Sequence, residues 1–285
     1  MLDWERLARA LAQGSAVLAT VVRVEGSAPR GVGAWMAVTH EALIGSIGGG
    51  QLEFDVMAEA RAALAAGGIV GPLRRYALGP SLGQCCGGVV HLRLDWLDAS
   101  QASGLQERLT PTPLVDLALF GGGHVGRAIM DLAQRLPIRA QWFDSRDEIF
   151  PAELPLNVEA EHSEPIQAAV ADVRPGAKVL VMSFSHAEDL DIVAACLARQ
   201  RLQQDLPFIG LIGSKSKWAA FRHRLEARGF SEAEIAHITC PIGIAGIEGK
   251  QPEVIALAAV AQLLQLSPAA GSSGSADPAA RGRRS

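Results

Sequence analysis

Apolar and polar positions follow two rhythms along the chain, and the change of rhythm divides it. In the first part, Leu2–Gln13 sets Trp4, Leu7 and Leu11 at helical spacing, while Ser15–Val24, Ala34–Thr39 and Ala42–Ile47 read as β-strands. Gln51–Ala66 is the first long helix, with Leu52, Val56, Ala60 and Leu64 on one stripe and Gly67-Gly68 closing it. Val89–Leu97 alternates apolar and polar residues, as a half-buried strand does. Residues 98–113 turn polar and Pro-bearing and mark a domain boundary.

From Leu114 onward short apolar runs alternate with helical patterns. Strands are predicted at 114–120, 138–143, 178–184 and 207–213, and helices at 121–136, 189–200, 215–228 and 253–266. That alternation implies parallel βαβ units. The expected architecture is α/β: an N-terminal mixed α+β domain over residues 1–100, then a Rossmann-like doubly wound parallel-sheet domain over 112–266. The remainder, 267–285, is Pro/Ser/Gly-rich and is expected to be a disordered tail.

Composition narrows the function classes. Apolar residues make up 49% of 285, enough for sizeable cores, and the net charge of −4 leaves no basic segment beyond the short tail, so no nucleic-acid partner is expected. Four cysteines, two of them adjacent (Cys85, Cys86), suit thiols in a reducing compartment better than a disulfide scaffold. The start MLDWERLARA reads as an acidic amphipathic helix, so no signal peptide is expected, and no apolar run reaches the roughly 18–20 residues of a membrane span. A cytoplasmic protein without a membrane partner is expected; its oligomeric state is open, a homo-oligomer included.

Four motifs carry candidate chemistry. Gly121-Gly122-Gly123-His124-Val125-Gly126 satisfies G-x-G-x-x-G between a strand and a helix, with Asp144 at the end of the next strand. Gly121, Gly123 and Gly126 permit a tight turn whose N–H groups face a pyrophosphate, and a carboxylate such as Asp144 binds a ribose hydroxyl. NAD(P) is therefore one candidate cofactor, and glycines kept for helix–strand packing are the alternative reading. The second motif, Gly45-Ser46-Ile47-Gly48-Gly49-Gly50-Gln51-Leu52-Glu53, lies between a strand and the long helix and suits a loop whose N–H groups meet an anion such as phosphate. In the third, Gly83-Gln84-Cys85-Cys86-Gly87-Gly88, flanking glycines leave the thiols uncrowded, as a soft-metal ligand or a sulfur carrier requires, though buried small hydrophobes remain the alternative. The fourth, Gly26–Gly33, carries Arg30, suited to phosphate. Cys196 reads as core, and Cys240 is undecided.

GSAPRGVGAWM, GSIGGGQLE and LGQCCGG, followed by LALFGGGHVGRA, SFSHAEDLD, GLIGSKSKW and CPIGIAGIEGKQPEVIA, together resemble the xanthine dehydrogenase accessory proteins of the XdhC/CoxI type over about residues 15–265. The resemblance implies a molybdenum cofactor chaperone of purine metabolism and not a catalytic enzyme. Such proteins bind Mo-molybdopterin, support its sulfuration by a cysteine desulfurase, and pass it from the cofactor biosynthesis proteins to the molybdenum-binding subunit of xanthine dehydrogenase. In that light Ser46, Gly48, Gly49 and Gly50, with Arg30, are assigned to the phosphate end. Gln84 and Glu53 go to the pterin, and Cys85 or Cys86 to molybdenum as the metal-side residues. His186, just past a strand end, is expected to complete the site across the cleft between the domains. An NAD(P)-dependent oxidoreductase and a nucleotide sensor are the competing readings; a Tyr-x-x-x-Lys proton relay is not evident, Tyr76 being the one tyrosine.

Overall fold

A computed structural model describes residues 3–68, 71, 73–79, 87–110 and 113–267, and the chain divides into two compact units, one reaching Pro111 and the other beginning at Thr112. Gln84, Cys85, Cys86 and the tail from residue 268 lie outside the described residues.

In the first unit, β1 (Ala16–Glu25), β2 (Trp35–Val38), β3 (Leu43–Gly45), β4 (Arg74–Ala77) and β5 (Val89–Leu97) form an antiparallel sheet ordered β3-β2-β1-β5-β4. Period-two alternation in β1 decides which face each residue serves. Val17, Ala19 and Val21 point to one side and pack with Leu52, Val56, Ala60 and Leu64, the predicted stripe, on α2 (Gly50–Ala65). Ala16 and Leu18 point to the other and meet Leu7 and Leu11 of α1 (Asp3–Leu11). The polar stretch read as a boundary is part of this second layer. Its 3-10 turn (Ala99–Gly104) is capped by Asp98, and α3 (Leu105–Leu109) buries Leu105 and Leu109 in the same cluster.

The second unit is the parallel sheet that the sequence predicts. Its strands are β6 (Val115–Phe120), β7 (Ile138–Asp144), β8 (Val158–His162), β9 (Lys178–Val181), β10 (Phe208–Leu211) and β11 (Ile238–Thr239), ordered β11-β10-β9-β6-β7-β8. Along β6, Leu117 and Leu119 face α4 (His124–Ala133) and α8 (Pro252–Gln265), while Ala118 and Phe120 face α5 (His186–Gln203), α6 (Lys215–Ala227) and α7 (Glu232–Ile235). The order reverses between β6 and β9, which makes the carboxyl ends of those two strands the switch point where open α/β sheets receive ligands. Strand β9 stops at Val181, three residues short of the predicted end, and the segment Met182–Ser185 is therefore a loop at that mouth. Cys196 is fully buried on α5, where burial pushes its thiol up to about 12.

Candidate functional site

The first unit brings its glycine-rich segments together. A Cβ built on Gly48 would lie 2.3 Å from Pro29 Cγ, so the Arg30-bearing loop rests directly on the Gly45–Gly50 loop. On its other side the same loop meets the segment leading out of the cysteine motif. Gly88 N–H donates to Ser27 O at 3.1 Å, Leu78 N–H donates to Gly88 O at 2.8 Å, and a Cβ on Gly88 would sit 2.3 Å from Ser27 O. Three motifs far apart in sequence thus share one border. Arg30 is exposed beside it.

The Gly45–Gly50 loop has the geometry of an anion nest, with Gly48, Gly49 and Gly50 at φ of +133°, +79° and +66°, a backbone path that L side chains rarely follow. Its anion is the chain's own. Glu53, one turn into α2, returns its carboxylate so that Oε1 accepts the Ser46 hydroxyl at 2.6 Å and the N–H groups of Ile47, Gly48 and Gly49 at 2.9, 3.2 and 2.9 Å. Partial burial alone would raise this carboxyl; the Ser46 hydroxyl and then the N–H groups of Gly49, Ile47 and Gly48 outweigh it and hold it below its ordinary value. Gly48, Gly49 and Glu53, expected to meet the ligand, are thus bonded to one another here. Those N–H groups are engaged, and the Oε1 face of Glu53 is turned into the loop.

A carboxyl lowered on folding adds stability above its unfolded value near 4.5 and loses it as pH falls through the lower folded value. Glu53→Gln is accordingly expected to cost about 1–2 kcal/mol at pH 7, allowing for solvent screening. Urea titrations of both chains would show the gap closing below about pH 4.

The second unit repeats the arrangement in its own glycine turn. Gly122 N–H donates to Asp144 Oδ2 at 2.5 Å, while Arg146 clamps both carboxylate oxygens: Nε to Oδ1 at 2.8 Å and Nη2 to Oδ2 at 2.9 Å. Asp144 is 1% exposed. Burial would raise its carboxyl, but Arg146 and the Gly122 N–H hold it low. The other glycines are explained by packing. A Cβ on Gly121 would fall 2.0 Å from Met182 O and one on Gly126 2.1 Å from Gly121 O, whereas Gly123 has open space. Trp142 Nε1 fixes the Gly121 carbonyl at 3.0 Å. NAD(P) held in the ordinary way needs a free carboxylate for the ribose and free turn N–H groups for the pyrophosphate. Here Asp144 is held by Arg146 and the Gly122 N–H is bonded to it.

Across the switch point, Asp189 on α5 is 2% exposed and accepts the N–H and hydroxyl of Ser183, each at 2.8 Å, and Lys217 Nζ at 2.6 Å. Lys217 also donates to Ile212 O at 2.9 Å and lies over the Phe221 ring. His186 opens α5, is exposed, and stands edge-on to Phe221 with centroids 6.4 Å apart. Cys240 is half-buried beside Gly213 and Lys217. Burial pushes its thiol up, Lys217 opposes this and Asp189 adds to it, so Cys240 is a neutral thiol. Among the described residues no three His, Cys, Asp or Glu side chains are grouped to hold a metal ion, and no helix is long and apolar enough to cross a membrane.

Arg146 and Phe184 were not singled out from sequence. The available signals were a basic residue two positions past Asp144 and a large aromatic between two serines after a parallel strand.

Comparison with known proteins gives two family matches: the XdhC Rossmann domain over residues 117–263, and the XdhC and CoxI family over residues 10–77. The Escherichia coli (strain K12) uncharacterized protein YqeB is 28% identical over 256 residues, and the chain spans only 43% of its length, with 87% of the chain covered. A Bacillus halodurans crystal structure described as a xanthine dehydrogenase has the same fold, with TM-score 0.69 and 21% identity over 93% of this chain and 95% of that one.

Proposed function

The chain belongs to the XdhC and CoxI family, and from that premise we propose that it is an accessory factor in the maturation of a xanthine dehydrogenase, carrying molybdenum cofactor as cargo. The observation that carries this reading is the shared border of the three glycine-rich segments in the first unit, joined through Pro29–Gly48 and Ser27–Gly88. A carrier of a phosphorylated, sulfur-ligated metal needs a cationic contact, a shaped backbone and soft donors in one place. In this reading Arg30 supplies the cation on the exposed side of that border, and Cys85 and Cys86, three and two residues before Gly88 in the sequence, supply the thiols.

In this reading the phosphate end of the cargo pairs with the Arg30 guanidinium. Glu53 keeps the neighbouring loop in shape instead of binding the pterin, which is left to Gln84. One of the two thiols faces molybdenum and guards it while a cysteine desulfurase provides sulfur for the terminal ligand. The finished cofactor then passes to the molybdenum subunit of the dehydrogenase. An NAD(P)-dependent oxidoreductase is disfavoured by the inward Asp144 and the engaged Gly122 N–H.

The test is anaerobic purification followed by molybdenum and pterin analysis. The wild-type chain is expected to retain both, and Cys85→Ala with Cys86→Ala to lower molybdenum retention at least tenfold with Tm unchanged. Equal retention in the double variant would remove the thiols from the site.

A further inference from the structure

At the mouth of the parallel sheet the chain holds a large aromatic ring out into water. Phe184 is 68% exposed. A phenylalanine left in solvent forgoes the stabilisation of burial, so its surroundings show whether it merely dangles. They are rigid. On its amino side Ser183 is fixed by two 2.8 Å bonds to the buried carboxylate of Asp189. On its carboxyl side Ser185 caps α5, accepting the Glu188 N–H at 3.2 Å, and its carbonyl lies 3.1 Å from the Ser183 hydroxyl as a weaker, shared acceptor of that proton. Below it, the Asp189–Lys217 pair ties the loop to α6.

A cation is held against the ring. The Arg146 guanidinium carbon lies 4.7 Å from the Phe184 centroid, and its bidentate hold on Asp144 fixes the guanidinium plane there. The place is the switch point of the sheet, since the Phe184 loop abuts the glycine turn, where the Gly121 Cβ position falls 2.0 Å from Met182 O and 3.0 Å from Ser183 N. Ligands of open α/β sheets arrive at this crevice. An aromatic face paired with a guanidinium is a general surface for stacking flat heterocycles.

We propose that Phe184, backed by Arg146, is a stacking platform in the Rossmann unit for a planar heteroaromatic ligand, a nucleobase or a pterin, and that the site does not read a ribose. The second clause follows from Asp144. The carboxylate that would ordinarily take the ribose diol is turned inward, with both oxygens engaged. A ligand is then selected by its ring, and its sugar is indifferent. This assignment involves the second unit alone and stands apart from the cofactor reading of the first. Cargo retention in the cysteine variants and ring binding at Phe184 can fail separately.

The experiment is calorimetric titration of the full chain with AMP, 2′-deoxy-AMP, NAD⁺ and 6-hydroxymethylpterin, repeated on Phe184→Ala and Phe184→Trp. At least one of AMP and the pterin is expected to bind saturably, and which one does identifies the ring class. Phe184→Ala is expected to weaken it at least tenfold while melting with the wild type, and Phe184→Trp to retain it. If AMP binds, 2′-deoxy-AMP is expected to match it within about twofold. Absence of saturable binding by every probe, or affinity unchanged in Phe184→Ala, would overturn the proposal. Preference for NAD⁺ with tenfold discrimination against the deoxy sugar would overturn the ribose-blind part and restore the ordinary dinucleotide mode.

Discussion

Asp189→Ala is expected to lower the melting temperature of the Rossmann unit by about 10 °C. Removal of the carboxylate leaves Lys217, whose side chain is 11% exposed, with the Ile212 carbonyl and the Phe221 ring among the described residues, and it deprives the Ser183 N–H of its acceptor. Breaking one partner of a buried ion pair costs about 3–5 kcal/mol, because the remaining charge stays desolvated without compensation. Asp189→Asn keeps an acceptor for Ser183 but loses the charge, and is expected to fall between alanine and wild type. Thermal scans by far-UV circular dichroism would check the order. A melting point for Asp189→Ala within 2 °C of wild type would show that the pair does not hold this end of the sheet.

The glycine turn supplies the second large effect, with its own control. Gly126→Ala is expected to prevent α4 from docking on β6, because the new methyl carbon would lie 2.1 Å from the Gly121 carbonyl oxygen, a backbone atom that cannot step aside. Gly121→Ala adds an unfavourable φ of +123° to a 2.0 Å clash with Met182 O. Each substitution is expected to cost about 4 kcal/mol or more, overpacking being compounded by backbone displacement. Gly123→Ala meets nothing within 4 Å and keeps a φ of −68°, so its cost is expected to be no more than about 1 kcal/mol, the usual loss at a helix N-cap. Soluble expression and urea midpoints of the three variants would separate packing glycines from the open one. Similar behaviour of all three would refute the assignment.

Much of the fold was legible because its cores are patterned strongly. The stripe Leu52, Val56, Ala60 and Leu64 gave α2, and the four-residue β9 and β10, buried at every position, gave the parallel sheet. Elements that bury little escaped notice. Strand β4 (Arg-Arg-Tyr-Ala) is a charged sheet edge, and β8 buries Val158 alone while presenting Glu159, Glu161 and His162. Charged edges of this kind discourage strand pairing with other chains, and they hide a strand from a hydrophobic pattern for the same reason. Likewise α3 depends on two leucines four residues apart in a stretch otherwise polar.

The sites were half legible. Glycine spacing located both turns, because a tight backbone path demands glycine whatever it binds. What spacing does not convey is the identity of the acceptor, and here it lies within the chain, Glu53 seven residues from Ser46 and Asp144 twenty-two from Gly122. Phe184 was hidden for another reason. As an apolar residue continuing an apolar run, it reads as the end of a strand until the backbone turns away at Met182.

These internal carboxylates bear on how such a protein is made. A loop that waits for an incoming phosphate to complete it is unfinished when it leaves the ribosome and takes shape only on loading. Here both turns are finished by the chain's own carboxylates, so neither depends on an incoming anion to take its shape.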